Sequence, residues 1–446
     1  MGKELFGTDG IRGVAGEYPL DPATVYAFGV ALGHDAAAAS ASPEILIGVD
    51  TRESGPWIAE MVAGGLESTG ARVRFAGVIT TPGVAYLTRT GDFLAGVMIS
   101  ASHNPYQDNG IKVFGHSGFK LPDAEEHIIE QDILRLRVNG VQPRRATLAV
   151  DDALDQQYLE FLLSVSSVGL EGARLVMDCG NGAACRLGPD LFQRLGAEVT
   201  PLCFAPNGRN INLNCGAMHV EGLREAVLAN GADFGVAFDG DADRSIFIAK
   251  SGKIVNGDGV LLACGRALHA AGHLHGGTVV STVMANLGLE KALQREGICM
   301  VRTPVGDKYV LEEMVHLGAA LGGEQSGHVI FREYATTGDG LLTALRLFEI
   351  ARRAGVGLDE LTADLEIYPQ KLVNVRVRER KGLAELPSVA REIRLAEEAF
   401  GGAGRVVVRF SGTEPLARVM VEGPDLQQVE SFCARIAEAI QRELGV

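Results

Sequence analysis

Apolar residues fall in short runs, each closed by a polar or glycine-rich turn. EILIGVD (44–50), ARLVMDC (173–179) and GTVVSTV (277–283) are β-branched and apolar, as strands buried on both faces of a mainly parallel sheet are. Between them lie PATVYAFGVALGHDAAAA (22–39), GPDLFQRLG (188–196) and GDGVLLACGRALHAAG (257–272), which read as helices and complete an α/β alternation. A second apolar run follows each of the three strands and ends in an unusual polar loop. These runs are LAGVMISASHNP (94–105), DFGVAFDGDADR (233–244) and AALGGEQSGH (319–328). The pattern predicts three similar α/β domains with mixed, mainly parallel sheets, each offering one loop at the carboxyl end of a strand. Ligands bind at those ends in open α/β sheets, so three facing loops would share one central cleft. Three unrelated βα units of accidental similarity are the alternative. The tail changes period. LVNVRVRER (372–380) alternates apolar and charged positions, RVVVRFSGTEP (405–415) and LARVMVEG (416–423) continue it, and DLQQVESFCARIAEAIQREL (425–444) reads as an amphipathic helix. A fourth, α+β domain is expected there. The boundaries drawn are 1–150, 151–254, 255–367 and 368–446.

Composition narrows the function. The 446 residues are too many for one core, and two to four domains is the ordinary outcome. The formal net charge of −15 argues against nucleic acid and against an anionic membrane as partners. Any anionic substrate must then be held by a few placed Arg and Lys residues. Seven Cys without a CxxC fit a reduced, cytoplasmic setting with inert thiols. The opening MGKELFGTDG has no apolar signal region and lacks Ser or Thr at position 6, against secretion and myristoylation. No apolar run reaches the roughly 18 residues of a membrane span.

Chemistry concentrates in the loops. In DGDAD, Asp239, Asp241 and Asp243 alternate directly after FGVAF. Three carboxylates so close repel one another, and a hard divalent cation, Mg²⁺ beside phosphate, relieves that. A solvated acidic turn is the alternative. ISASHNPYQDNGIKVF (99–114) places Ser102 beside His103, with Lys112 beyond the turn. A serine hydroxyl needs a base or a metal to act as a nucleophile, and a plain serine turn reads equally well. RFSGTEP (409–415) sets Arg409, Ser411, Gly412 and Thr413 in one turn with Arg418 following, an anion nest of amides, hydroxyls and guanidinium; a hairpin turn with surface Arg residues is the alternative. GGEQSGH (322–328) offers Glu324, Ser326 and His328, and FGTDGIRG (6–13) offers Arg12. Taken singly, these last two read as ordinary polar segments.

Together the motifs resemble the α-D-phosphohexomutase superfamily. FGTDGIRG, SASHNP, DGDADR, GEQSGH and RFSGTEP stand in the family's order from residue 6 to Arg418. FGTDGIRGVAGEYPL, Ser100, CGAMH (215–219), GGEQSGHVI and TTGDG (336–340) are most similar to its glucosamine-phosphate branch. Glucose- and mannose-phosphate relatives usually carry Thr where Ser100 stands, and Met218-His219 is a small departure. The resemblance implies four domains, phosphorylation of Ser102, and Mg²⁺ on the three Asp residues and a phosphoserine oxygen. It implies interconversion of glucosamine 6-phosphate and glucosamine 1-phosphate through a 1,6-bisphosphate, for UDP-N-acetylglucosamine and cell-wall synthesis. A glucose- or mannose-phosphate mutase with the same machinery is the alternative. Arg12, Lys112 and Arg244 are expected around Ser102, Glu324, Ser326 and His328 on the sugar, and Arg409, Ser411, Gly412, Thr413 and Arg418 on the far phosphate. The general base stays open among Lys112, His103 and His328. So does the primer of Ser102, either glucose or glucosamine 1,6-bisphosphate or a kinase. A homodimer is compatible with all of this.

Overall fold

The computed structural model describes residues 4–7, 9–379, 381–382, 385–410 and 415–446. Ser411, Gly412 and Thr413 therefore lie outside the described residues. The described residues form four sheets. In the first, Glu44–Val49 runs parallel to both Arg72–Val78 and Ala95–Ile99. Ala95–Ile99 then turns back into the antiparallel strand Asp108–Gly115, which pairs in turn with Gly10–Val14. The second sheet repeats this plan. Arg174–Asp178 is parallel to Glu198–Leu202 and Phe234–Phe238, and Phe234–Phe238 returns antiparallel as Ser245–Ala249. In the third, Thr278–Thr282 is parallel to Cys299–Thr303 and Leu321–Gly323, and Leu321–Gly323 returns as Val329–Phe331.

Each motif loop thus sits at the turn of a hairpin, at the carboxyl end of a strand. That placement follows from the sequence. The strands are buried apolar runs, and polar side chains can leave the sheet only where the run stops. The fourth sheet is antiparallel, with Leu416–Glu422 between Gln370–Arg376 and Arg405–Phe410. Pro387–Phe400 and Leu426–Leu444 pack beside it around Val389, Phe432, Ile436 and Ile440.

The helices start where capping chemistry starts them. Asp21 accepts from the amides of Ala23 and Thr24 ahead of Pro22–Ala39, Asn256 caps Gly257–Ala270, and Asp425 caps Leu426–Leu444, as side-chain oxygens do at an N-cap. One predicted start moves. The helix expected from residue 188 begins four residues earlier, as Ala184–Arg194, with Pro189 inside it. Gly-Pro reads as a helix start because proline suits the first turn. Here the turn at Gly180-Asn181-Gly182 winds straight into the helix.

One apolar core runs through the first three sheets, linking Leu46 and Phe114 to Met177, Phe238, Leu261 and Phe348. The fourth sheet has a core of its own. It meets the third through polar contacts, with the Leu287 amide donating to Glu422 at 2.9 Å and Arg405 donating to the Val283 carbonyl at 2.8 Å. No helix among the described residues is long and apolar enough to cross a membrane.

Candidate active site

The Ser102 loop is held from beneath. Ser102 has φ +52°, a region that residues other than glycine occupy only when their surroundings enforce it. Three bonds to its own backbone enforce it here, one of them braced by a fourth. The Ser102 amide donates to Ser100 Oγ at 2.9 Å, and Ser100 Oγ donates to Asp50 at 2.6 Å. The Ser102 carbonyl accepts from Arg52 and from Asn212, each at 2.9 Å. Arg52 is 1% exposed. Its guanidinium pairs with Asp50 at 2.9 Å and donates to the carbonyls of Asn104, at 2.8 Å, and Asp108, at 3.0 Å, and to that of Pro105. With its carbonyls drawn inward, the loop can turn its hydroxyl the other way, and Ser102 Oγ donates to Asp239 at 2.6 Å.

That bond joins the first motif loop to the second. Asp239, Asp241 and Asp243 are all buried and offer carboxylate oxygens within 4.8 Å of one another. Asp241 Oδ1 and Asp243 Oδ1 have no hydrogen-bond partner. Burial, and then repulsion from Asp243 and Asp241, push the Asp239 carboxyl well above the usual carboxylate range. Burial also acts against Asp243, but Lys112, His328 and Arg244 outweigh it and hold that carboxyl low. Buried oxygens without donors, converging in a loop, are a donor set for a hard divalent cation, and Mg²⁺ fits it. Thr81 fixes the loop from the first sheet. Its amide donates to the Asp241 carbonyl at 3.0 Å and its hydroxyl to the Asp241 carboxylate at 2.5 Å.

Cations stand around this pair of loops, so an acidic chain offers local positive charge here. Lys112 is 1% exposed, with Nζ 2.9 Å from Asp241, 3.2 Å from Asp9 and 3.4 Å from Asp243. Burial disfavours its charge, yet the three carboxylates more than compensate and keep it protonated. Arg12 pairs with Asp9. Arg244 Nη1 lies 3.2 Å from His103 Nδ1. His103 Nδ1 is 3.4 Å from Ser102 Oγ. Burial, then Arg244 and Arg12, lower its imidazole to about 4, so the ring is neutral at pH 7. Lys112 is thus poised as a charge and His103 as a neutral acceptor.

The third loop faces the same space. Glu324 Oε1 accepts from the Gly306 amide at 3.1 Å, and the exposed Ser326 hydroxyl points to Glu324 Oε2 at 3.4 Å. His328 sits deeper than Glu324 and Ser326. It is 2% exposed, and its Nε2 accepts from the Gly338 amide at 2.9 Å. Its ring lies 3.8 Å from Asp243 and 3.7 Å from Asp307, at ion-pair range. Those carboxylates outweigh burial and raise its pKa. Its place is behind the loops, between Asp243 and Asp307.

Arg409 and Arg418 are register partners on adjoining strands of the fourth sheet. Burial, then Arg418, depress the Arg409 guanidinium, while Glu324 acts in the opposite sense. Two guanidinium groups side by side favour an anion between them.

Several site residues escaped the sequence reading, namely Asp9, Asp50, Arg52, Thr81, Lys120, Asn212 and Asp307. Lys120 bridges Asp9 and Asp307, tying the first sheet to the third. For Asp50 a signal existed, because it is a carboxylate directly after the strand run EILIGV.

Comparison with known proteins places this geometry. The phosphoglucomutase/phosphomannomutase alpha/beta/alpha domains I, II and III match residues 3–138, 156–252 and 256–368, and the C-terminal domain of that family matches 372–439. A phosphoglucosamine mutase of Solibacter usitatus is 74% identical, over 100% of both chains. Among solved structures, a phosphoglucomutase/phosphomannomutase family protein of Burkholderia thailandensis superposes with TM-score 0.80 at 24% identity, covering 98% of this chain and 97% of that one. An N-acetylphosphoglucosamine mutase of Aspergillus fumigatus, solved with GlcNAc-6P and magnesium, has TM-score 0.65 at 18% identity, covering 99% and 96%. The chain belongs to the phosphoglucomutase/phosphomannomutase family, in its phosphoglucosamine mutase branch.

Proposed function

We propose that the chain interconverts glucosamine 6-phosphate and glucosamine 1-phosphate, with Ser102 as the phosphoryl relay. The observation that carries this reading is the 2.6 Å contact from Ser102 Oγ to Asp239. It puts a nucleophile-bearing loop against a cation-binding loop, with cations on every side. In the forward direction phosphorylated Ser102 faces the substrate O1. The Oγ–P bond breaks, the P–O1 bond forms, and the O1 proton leaves for a base. The resulting 1,6-bisphosphate turns round in the cleft. Its 6-phosphoryl group then passes back to Ser102 Oγ, and O6 takes up a proton.

Phosphoryl transfer depends mainly on positioning and charge neutralisation. Lys112, Arg12 and Arg244 supply fixed positive charge beside Ser102. Arg409 and Arg418 would hold whichever phosphate is not reacting, so one site serves both orientations. Glu324 and Ser326 would hold sugar hydroxyls. Asp239, Asp241 and Asp243 would hold Mg²⁺, which when bound offsets the charge of the phosphoryl oxygens. A hexose 1,6-bisphosphate is a sufficient primer, since the relay can load Ser102 from either of its phosphates.

Two measurements test the reading. Comparing kcat/KM on glucosamine, glucose and mannose 6-phosphates should favour glucosamine by about tenfold or more, which is ~1.4 kcal/mol of discrimination. Equal or faster turnover of glucose 6-phosphate would assign the chain to the wider hexose-phosphate mutases. Chelation by EDTA should abolish turnover and added Mg²⁺ restore it, because the repelling carboxylates lose their counter-charge. Undiminished activity in EDTA would remove the metal from the account.

A further inference from the structure

A second group of ligating side chains lies outside the site above, among the strand ends of the second sheet. Arg174–Asp178 and Glu198–Leu202 run parallel with Asp178 opposite Leu202, so Cys203 emerges beside the Asp178 carboxylate. Cys203 has φ +44°, the left-handed region a side chain adopts when its surroundings fix it. Cys215 comes in from below as the residue before the short turn Gly216–Met218. The two sulfurs and an Asp178 oxygen lie within 4.8 Å of one another.

The group is built rather than loose. Asp178 accepts from the amides of Gly180 and Gly216, each at 2.9 Å, which fixes its carboxylate. Cys215 Sγ receives the Asn181 amide group at 3.8 Å. Asp178 and Cys215 are each 3% exposed, while Cys203 is half-buried and opens the group to solvent. Cys185, also half-buried, lies nearby, its Sγ donating to the Cys203 carbonyl at 3.8 Å.

We propose that Asp178, Cys203 and Cys215 form a second cation site, for a thiophilic divalent ion such as Zn²⁺. Two sulfurs and one carboxylate suit a soft or borderline ion and not Mg²⁺. Tetrahedral Zn²⁺ with bonds of about 2.3 Å to sulfur sets its sulfur ligands roughly 3.8 Å apart, inside the spacing found here. Three protein ligands leave a fourth position on the Cys203 side, for water or for Cys185. On binding, the two S–H bonds break, two sulfur–metal bonds form, and two protons pass to solvent. The site is distinct from the Asp triad yet lies close to it. Asn212, three residues before Cys215, donates to the Ser102 and Asn104 carbonyls, and the bound ion would fix the segment that carries it.

The test is optical, because oxygen ligands give no thiolate band. Reduced, Mg²⁺-saturated protein carrying Cys299→Ser, which removes the exposed thiol, is titrated with Cd²⁺. A sulfur-to-metal charge-transfer band should saturate at one equivalent. It should persist in Asp239→Asn, and Zn²⁺ should displace it. Combined Cys203→Ser and Cys215→Ser should weaken Cd²⁺ binding at least tenfold. If that pair unfolds, Cys203→Ala alone, at a half-buried position, should give the same loss. No band, or a band undiminished in Cys203→Ala, overturns the proposal.

Discussion

Ser102→Ala should lower mutase kcat by roughly 10⁴-fold or more, the scale seen when a covalent nucleophile is removed. The fold should survive. Alanine keeps the Ser102 amide bond to Ser100 and the carbonyl bonds to Arg52 and Asn212; the hydroxyl contacts to Asp239 and His103 are lost. Far-UV circular dichroism and thermal melting should therefore stay close to the parent. Ser102→Gly separates chemistry from backbone strain. Glycine relieves the positive φ, so this variant should melt no lower and be equally inactive. Turnover within tenfold of the parent in either variant would end the relay mechanism. Loss of turnover together with loss of the fold in both would reassign Ser102 to structure.

Arg52→Met should be the most damaging change away from the reacting atoms. Arg52 is buried and serves Asp50 and four loop carbonyls at once. Removing it strands the buried Asp50 carboxylate, and breaking a buried pair from one side costs about 3–5 kcal/mol. Burial already pushes the Asp50 carboxyl up in spite of Arg52. Without that partner Asp50 should bind a proton on folding. Its folded pKa then lies above the unfolded one, so the Arg52→Met variant should regain stability below the unfolded pKa and lose it as pH rises. Adding Asp50→Asn removes the stranded charge and should return most of the melting temperature. Activity should not return with it, because the carbonyls of Ser102, Asn104, Pro105 and Asp108 still lack the Arg52 guanidinium that gathers them. A double variant that recovers both would show that Arg52 acts through Asp50 alone.

These two residues mark the limits of the sequence. Ser102, Asp239, Asp241 and Asp243 are legible because their chemistry is crowded into short loops after apolar runs. A polar loop at the carboxyl end of a strand in each of the three sheets was legible for the same reason; the antiparallel strand that returns from each loop was not read. Arg52 was not legible, because four of its partners are backbone carbonyls, which carry no sequence mark, on a loop some fifty residues away in the chain. Asn212 is hidden in the same way. The burial of His328 was not legible, because its Gly-flanked loop looks exposed, whereas its ring turns inward to Gly338, Asp243 and Asp307. Lys112 reads as a surface cation after a turn, and only the sheet pairing of Ile99 with Ile111 brings it under the acidic loop.

Ser102 as the phosphoryl carrier can be read directly. The direct measurement is peptide mass spectrometry of the active enzyme after incubation with glucose 1,6-bisphosphate and Mg²⁺. The account predicts one phosphate, on Ser102, which disappears in step with product formation when glucosamine 6-phosphate is added. Phosphate on another side chain, or full turnover by enzyme bearing none, would contradict it.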